Sequence, residues 1–342
     1  MDKAYLDLAL SEMKWLLSIP SPSGFTMEIS EKLVARLKEM GFEPRQSLKG
    51  AVTALLGGEG RPLVLAAHVD TLGAMVRAIK PNGRLKVAHV GGLNLNAVEG
   101  ENCLVHTRGG KRYTGVFQTV HPSTHVYADA RALERSEENM EVVLDEDVHT
   151  QEETRALSVC AGDFVSFDPR TVFTPSGYIK SRHLDDKAGA GILLALARMV
   201  KDGALALNRK VYILFTTYEE VGHGAASALP EDAQELISVD MGCVGEDLTG
   251  DETMACICAG DSRGPSDYQV TGALVDTARR LNLRHAVDVY RSYVSDADVA
   301  LTSGHEVRHG AVGPGVFASH AYERTHISGI ENTLALLAGY VS

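Results

Sequence analysis

Apolar residues recur at helical spacing from the start of the chain: Leu6, Leu10, Met13 and Leu17 share one face of a helix predicted over residues 3–18. The turn Ile19-Pro20-Ser21-Pro22-Ser23-Gly24 stops it. A second helix is predicted over about residues 26–40, ending at Gly41. The run Leu63-Val64-Leu65-Ala66-Ala67 is short, uninterrupted and bounded by turn signals, so it reads as a buried strand that delivers His68.

After about residue 72 the pattern changes to short alternating stretches with many glycines, such as Arg84-Leu85-Lys86-Val87-Ala88 and Glu101-Asn102-Cys103-Leu104-Val105-His106. A β-rich inserted domain over residues 73–167 is expected, with the charged run 131–141 (Glu134, Glu137, Glu138) as a solvated surface. From Tyr178 strands and helices alternate again. Asp185-Asp186-Lys187 opens a helical pattern over 188–200 that Gly203 closes; residues 211–217 and 236–240 read as strands, and 270–281 and 332–341 as helices. The fold class expected is α/β. Residues 1–72 and 168–342 form a three-layer catalytic domain around a mixed, largely parallel sheet covered on both faces.

A chain of 342 residues with 44% hydrophobic content can bury a full core without metals or disulfides. Its net charge of -12 repels phosphate backbones and anionic membranes, so neither nucleic acid nor membrane is an expected partner. The N-terminus carries acidic residues and lacks the pattern of a signal peptide, and no run is long enough to span a bilayer; a cytoplasmic location is expected. Five cysteines without framework spacing argue against a disulfide scaffold. Cys256 and Cys258 fall in an apolar run, where alternation along a strand explains them better than a soft metal pair does.

The chemistry-bearing residues fall at the ends of the predicted strands, which is where open α/β sheets form their sites. One strand ends in His68-Val69-Asp70, another in Glu219-Glu220, a third in Asp240, and a late apolar stretch runs into Ser319-His320. Buried, unpaired charges in such number would be very costly, which points to a metal centre. Two divalent ions need about three protein ligands each with one shared. His68, Asp185, Glu220, Asp240 and His320 meet that need, leaving Glu219 as a general base toward attacking water.

The ordered segments Ala67-His68-Val69-Asp70-Thr71-Leu72-Gly73, Leu184-Asp185-Asp186-Lys187-Ala188-Gly189, Glu219-Glu220-Val221-Gly222, Val239-Asp240 and Ser319-His320 resemble metallopeptidase family 42, which contains glutamyl and tetrahedral aminopeptidases. The similarity spans essentially the whole chain and is nearest a less characterised branch of aminopeptidases. It implies that His68, Asp185 and Asp240 hold one metal, and that Glu220, Asp185 and His320 hold the other, with Asp185 bridging. Asp70 would bond the far nitrogen of His68, and Glu219 would be the base. It further implies zinc or cobalt as the ions, peptides as substrates, and self-association through the insertion into dimers or dodecamers. Thr71, where many relatives carry Glu, and the ending 319–326 depart from the common pattern and leave the substrate preference open.

Other motifs carry less. His305-Glu306-Val307-Arg308-His309 matches H-E-x-x-H formally, but flanking glycines and Pro314 make it a loop leading into a strand rather than a zincin helix. His121 and His125 are expected at a surface; His183, Arg324 and His326 are expected either to line the substrate pocket or to orient carboxylates. Gly260-Asp261-Ser262-Arg263-Gly264 reads as a turn. Two other functions compete. A glycoside hydrolase of endoglucanase type would place two carboxylates on separate segments without metal, whereas this chain sets histidines beside its acids and has one tryptophan, Trp15. A metal-free binding protein on the same fold would not be expected to retain every ligand.

Overall fold

The computed structural model describes residues 2–342. It divides into two units, Met1–Asp70 with Arg170–Ser342, and Thr71–Pro169. In chain order the first part supplies α1 (Lys3–Leu17), α2 (Met27–Glu39), β1 (Arg45–Gln46), β2 (Val52–Gly57) and β3 (Leu63–His68). The insertion supplies β4 (Gly73–Ile79), β5 (Leu85–Val90), β6 (Glu101–His106), β7 (Arg112–Thr119), β8 (Met140–Leu144), α3 (Gln151–Ala156) and β9 (Phe164–Phe167). Next come β10 (Val172–Phe173), β11 (Tyr178–Ser181), α4 (Leu184–Lys201), β12 (Val211–Thr216), β13 (Glu235–Ser238) and β14 (Gly242–Val244). The chain closes with β15 (Ala255–Asp261), β16 (Gly264–Pro265), α5 (Tyr268–Arg280), β17 (His285–Val289), α6 (Asp296–Thr302), β18 (Arg308–Phe317), β19 (Glu323–His326) and α7 (Ile327–Val341).

The larger unit is built on a 13-stranded mixed sheet with the central order β12-β3-β13-β18, all parallel. Strand β3 is buried along its whole length, as a strand covered on both faces must be. Its alternate residues enter different cores. Leu63, Leu65 and Ala67 pack into the cluster that includes α1, α4 and α7, while Val64 and Ala66 face a smaller cluster with Leu214, Leu236, Ala297 and Ala300. The α/β class expected from the sequence is the class observed.

Helix α4 runs through the middle of its layer, with nearly every residue buried. Its small residues are what permit this. A Cβ on Gly189 would lie 1.9 Å from the Val239 carbonyl oxygen, and one on Gly191 would lie 2.8 Å from the Ala9 carbonyl oxygen. The helix therefore presses its first turn against the end of β13 and its next against α1. Asp185 and Asp186 precede the regular turns with non-helical backbone angles and are joined by a cis peptide bond.

The inserted unit is a closed barrel of order β4-β5-β8-β7-β6-β9, filled by side chains such as Val76, Leu85, Val105, Phe117, Met140, Val142 and Val165. Its acidic run lies at the surface as expected: Glu134 and Glu138 are exposed, Glu138 pairs with Arg77 at 3.3 Å and with Lys86, and Glu137 accepts the His89 backbone N–H at 2.9 Å.

Two differences have local causes. Helix α7 begins five residues before the predicted start because His326, an unusual N-cap, accepts the Ser328 N–H at 3.0 Å. Helix α6 was not foreseen; a capping box between Ser295 and Asp298 starts it.

Candidate metal centre

Strand β3 ends by placing His68 and Asp70 in the interior, both almost fully buried. The His68 Nδ1–H donates to the Asp70 backbone carbonyl at 3.0 Å, while the nearer Asp70 carboxylate oxygen is 3.7 Å away. The bond that orients the ring thus comes from the main chain of Asp70. Its carboxylate accepts from Ser23 Oγ at 2.5 Å and from the backbone N–H groups of Glu219 and Glu220 at 3.1 and 3.3 Å. Ser21, in the same N-terminal turn, donates to the Val69 carbonyl at 2.7 Å. The Pro-rich turn near residue 20 is therefore the clamp on the His68 segment.

Strand β12 ends at Thr216; Tyr218, just beyond it, has a left-handed φ of 71°, and a short 3₁₀ turn over Glu219–Val221 follows. This sharp turn makes the two neighbouring carboxylates diverge. Glu219 Oε2 lies 3.8 Å from His68 Nε2, and Glu220 Oε2 lies 3.5 Å from His320 Nε2. Asp240 follows β13, with one oxygen accepting the Met241 N–H at 2.7 Å. His320 lies between β18 and β19 at a φ of 63°.

Asp185 joins the groups. Its Oδ1 lies 3.0 Å from His68 Nε2 and its Oδ2 lies 3.5 Å from His320 Nε2. Two trios result, His68–Asp185–Asp240 and Asp185–Glu220–His320; within each, the potential ligand atoms lie within 4.8 Å of one another. All five residues named from the sequence as ligands fall in these trios, and Glu219 lies beside the first.

The electrostatics fit a cationic occupant. Burial, then the Asp185 charge, pushes Glu220 up to about 8 and Asp240 up to about 7. Burial also raises Glu219 and Asp186 well above the ordinary carboxylate range. Burial opposes the charge on His68, yet hydrogen bonding to Asp185 and the charges of Glu219 and Asp240 raise its pKa well above the usual histidine value. The carboxylates thus retain protons unless a cation replaces them. Ligand atoms arranged tetrahedrally about zinc at ordinary bond lengths stand about 3.3 Å apart, close to the observed 3.0 and 3.5 Å. The donor set of imidazole and carboxylate suits zinc or cobalt.

Two contributors escaped the sequence reading. Glu323 is buried and accepts the backbone N–H of Asp185 at 3.1 Å and that of His320 at 3.2 Å. Lys187, also buried, donates to the Ile19 carbonyl at 2.7 Å; burial brings its pKa down to about 7. The only signal for either was its closeness in sequence to a proposed ligand.

The remaining histidines have other work. His183 is buried at the start of α4, and its pKa is lowered well below the usual value by burial and by the charges of Lys187 and Arg182. Arg324 pairs with Glu252 at 2.6 Å, and His326 caps α7. His305 follows α6, His309 lies in β18, and no helix joins them. His121 pairs with Asp129 at 3.0 Å, and neither it nor His125 joins a metal-ligating group among the described residues. Cys256 and Cys258 are buried free thiols, pushed up to about 12 by burial. Asp261 and Gly264 pair across a tight turn at the glycine-rich phrase.

Imidazoles and carboxylates gathered beside the ends of the central strands make a donor set suited to divalent cations. Residues 50–336 match the model of the M42 glutamyl aminopeptidase family. The chain belongs to that family, and it is an enzyme of the aminopeptidase class. It is 45% identical over 331 residues, 96% of each chain, to the Bacillus subtilis (strain 168) protein named "Putative aminopeptidase YhfE". The fold is similar to a TET aminopeptidase from a marine sediment Thaumarchaeota archaeon, with a TM-score of 0.87 at 18% identity, covering 97% of this chain and 96% of that one. It is also similar to the TET1 peptidase of Pyrococcus horikoshii, described as able to assemble into a tetrahedron or a large octahedral shell; there the TM-score is 0.85 at 22% identity, with 97% and 99% covered.

Proposed function

We propose that this enzyme removes N-terminal residues from peptides at a centre of two divalent cations, zinc or cobalt. His68, Asp185 and Asp240 would hold one, and Asp185, Glu220 and His320 the other. The observation that carries the reading is the division of Asp185, one oxygen toward each histidine. Bound there, the cations would supply Lewis-acid polarisation of the scissile carbonyl and lower the pKa of a coordinated water.

The chain's own groups do the rest. Glu219 Oε2 takes a proton from the attacking water and is placed to pass it to the departing amine. The Asp70 backbone carbonyl fixes the proton of His68 on Nδ1 and leaves Nε2 as the ligand atom. The Asp70 carboxylate, by accepting the N–H groups of Glu219 and Glu220, keeps base and ligand on their separate courses.

Self-association through the barrel unit is part of this reading, supported by the assembly described for the P. horikoshii peptidase. So is a cytoplasmic location. No helix among the described residues is long and apolar enough to cross a membrane.

The test is Glu219→Gln, assayed on aminoacyl nitroanilides with elemental analysis of the same preparation. The variant is expected to keep two metals and to lose about 10²- to 10⁴-fold in rate. Full activity with both metals bound would remove Glu219 from its role; cleavage that survives exhaustive chelation would remove the metals.

A further inference from the structure

The central parallel strands that end at the metal centre begin at a cluster of arginines. Arg61 precedes β3, Arg209 precedes β12, and Arg308 opens β18; Glu235 opens β13 between them. The register brings these positions together, because Leu63 pairs with Val211 and with Glu235, and Glu235 pairs with Arg308. Arg280, the last residue of α5, comes in from the helix layer. Together they line a cavity of about 420 Å3.

The charges in this cavity do not balance. The whole chain carries a net charge of -12, yet four guanidinium groups here meet one acidic side chain. That acid is committed: Glu235 Oε1 accepts from Arg209 Nη1 at 2.9 Å and from the Tyr340 hydroxyl at 2.7 Å. The main-chain oxygen of Ser342 also borders the cavity and accepts from Asn208 Nδ2 at 2.8 Å. Arg308 reaches only the Gln269 amide oxygen, and Arg280 only the Gly339 carbonyl, at 2.9 Å. Among the described residues the Arg61 guanidinium makes no hydrogen bond or ion pair, and Arg209 Nη2 is a buried donor with no partner.

Guanidinium groups that outnumber the carboxylates among them repel one another, and a buried N–H donor left unpaired costs stability. An anion relieves both. The forks come from several segments around one cavity, which suits the several oxygens of a tetrahedral oxyanion better than the two of a planar carboxylate. The volume leaves room beyond a single phosphate group.

We propose that this cavity is a second ligand site, for a phosphate group carried by a small molecule or free in solution. It is distinct from the metal centre, since the six residues of β3 separate the two by about 17 Å.

The experiment is isothermal titration of the zinc-loaded enzyme at fixed ionic strength, with ribose 5-phosphate in one arm and inorganic phosphate in the other. Phosphates also coordinate zinc, so Arg61→Ala and Arg308→Ala are compared with His320→Ala; both arginines are exposed surface side chains. Saturable binding is expected in the wild type, weakened at least about tenfold in each arginine variant and unchanged in His320→Ala. The arginine variants should cleave aminoacyl nitroanilides at the wild-type rate. Tighter binding of the ester assigns the site to a phosphorylated metabolite, and equal or tighter binding of inorganic phosphate assigns it to the free anion. No binding in either arm overturns the proposal, as does binding that His320→Ala abolishes and the arginine variants leave intact.

Discussion

Glu323 holds Asp185 by its main chain: the buried carboxylate accepts the Asp185 N–H at 3.1 Å through Oε2. Its other oxygen accepts the N–H of His320 at 3.2 Å. One side chain thus fixes the backbone of the residue shared by both trios and of a ligand unique to one. Two acceptor atoms are needed for this, and a carboxylate has them.

Glu323→Gln should therefore loosen the centre without removing any ligand. The amide keeps one acceptor and turns an NH₂ toward the other backbone N–H. A fall in zinc affinity of about 10- to 100-fold is expected, with kcat recovering as zinc is raised. Competition with a chromogenic chelator measures it, and an unaltered affinity would leave Glu323 a purely structural acid.

Single ligand removals should differ in stoichiometry. Asp240→Ala and His320→Ala each disable one trio, so each variant is expected to hold about half the wild-type metal. Asp185→Ala disables both and should hold almost none. Elemental analysis of dialysed protein reads this directly, and a variant at Asp185 that keeps a full complement would contradict a bridging role.

The metal-free fold should weaken as the solution becomes more alkaline. Glu220, at about 8, and Asp240, at about 7, keep protons in the folded chain where an unfolded chain has lost them. The native state then binds more protons, so stability falls as pH rises from about 5 to about 8. His68, also raised, acts in the same sense. Asp185 acts oppositely: burial opposes its charge, but bonds from His320 and His68 hold it well below its ordinary value. Its stabilisation is lost only as the solution becomes acidic, below about pH 4. A melting temperature that declines over pH 5–8 in chelator-treated protein, but not in zinc-loaded protein, is the expected result. Parallel curves would argue that these acids do not exchange protons for metal.

Gly189→Ala should disturb the site from behind. The new Cβ would fall 1.9 Å from the Val239 carbonyl and 2.5 Å from Asp186 Oδ1, so α4 must move away from the end of β13. A loss of about 3 kcal/mol in urea unfolding is expected, together with reduced metal occupancy. A variant of unchanged stability would mean that the helix has slack at this contact.

The parts of this molecule that were legible in its sequence are those written in periodicity. The uninterrupted run at residues 63–67 declared a doubly covered strand, and the acids and histidines at three such strand ends declared a convergent site, because strand direction alone brings those ends together. Glu323 was illegible because its work is done on backbone N–H groups, and nothing in the polar stretch from Glu323 to His326 distinguishes a buried acceptor from surface charge. The partner that orients His68 was legible as a residue but not as an atom: Asp70 bonds the far nitrogen, and it does so through its main-chain carbonyl at 3.0 Å while its carboxylate stays 3.7 Å away. Ser23 shows the same limit from the other side, since its bond to Asp70 spans 47 positions and no local pattern reports it.

His320 and Glu323 both belong to the last hairpin of the fold, while His68 and its clamp are made near the start. A ribosome must therefore have extruded nearly the whole chain before the second trio can close, although earlier segments are free to begin folding. Under the proposed mechanism, the enzyme is inert throughout its own synthesis. Its competence to cut other peptides dates from the moment its final strands dock.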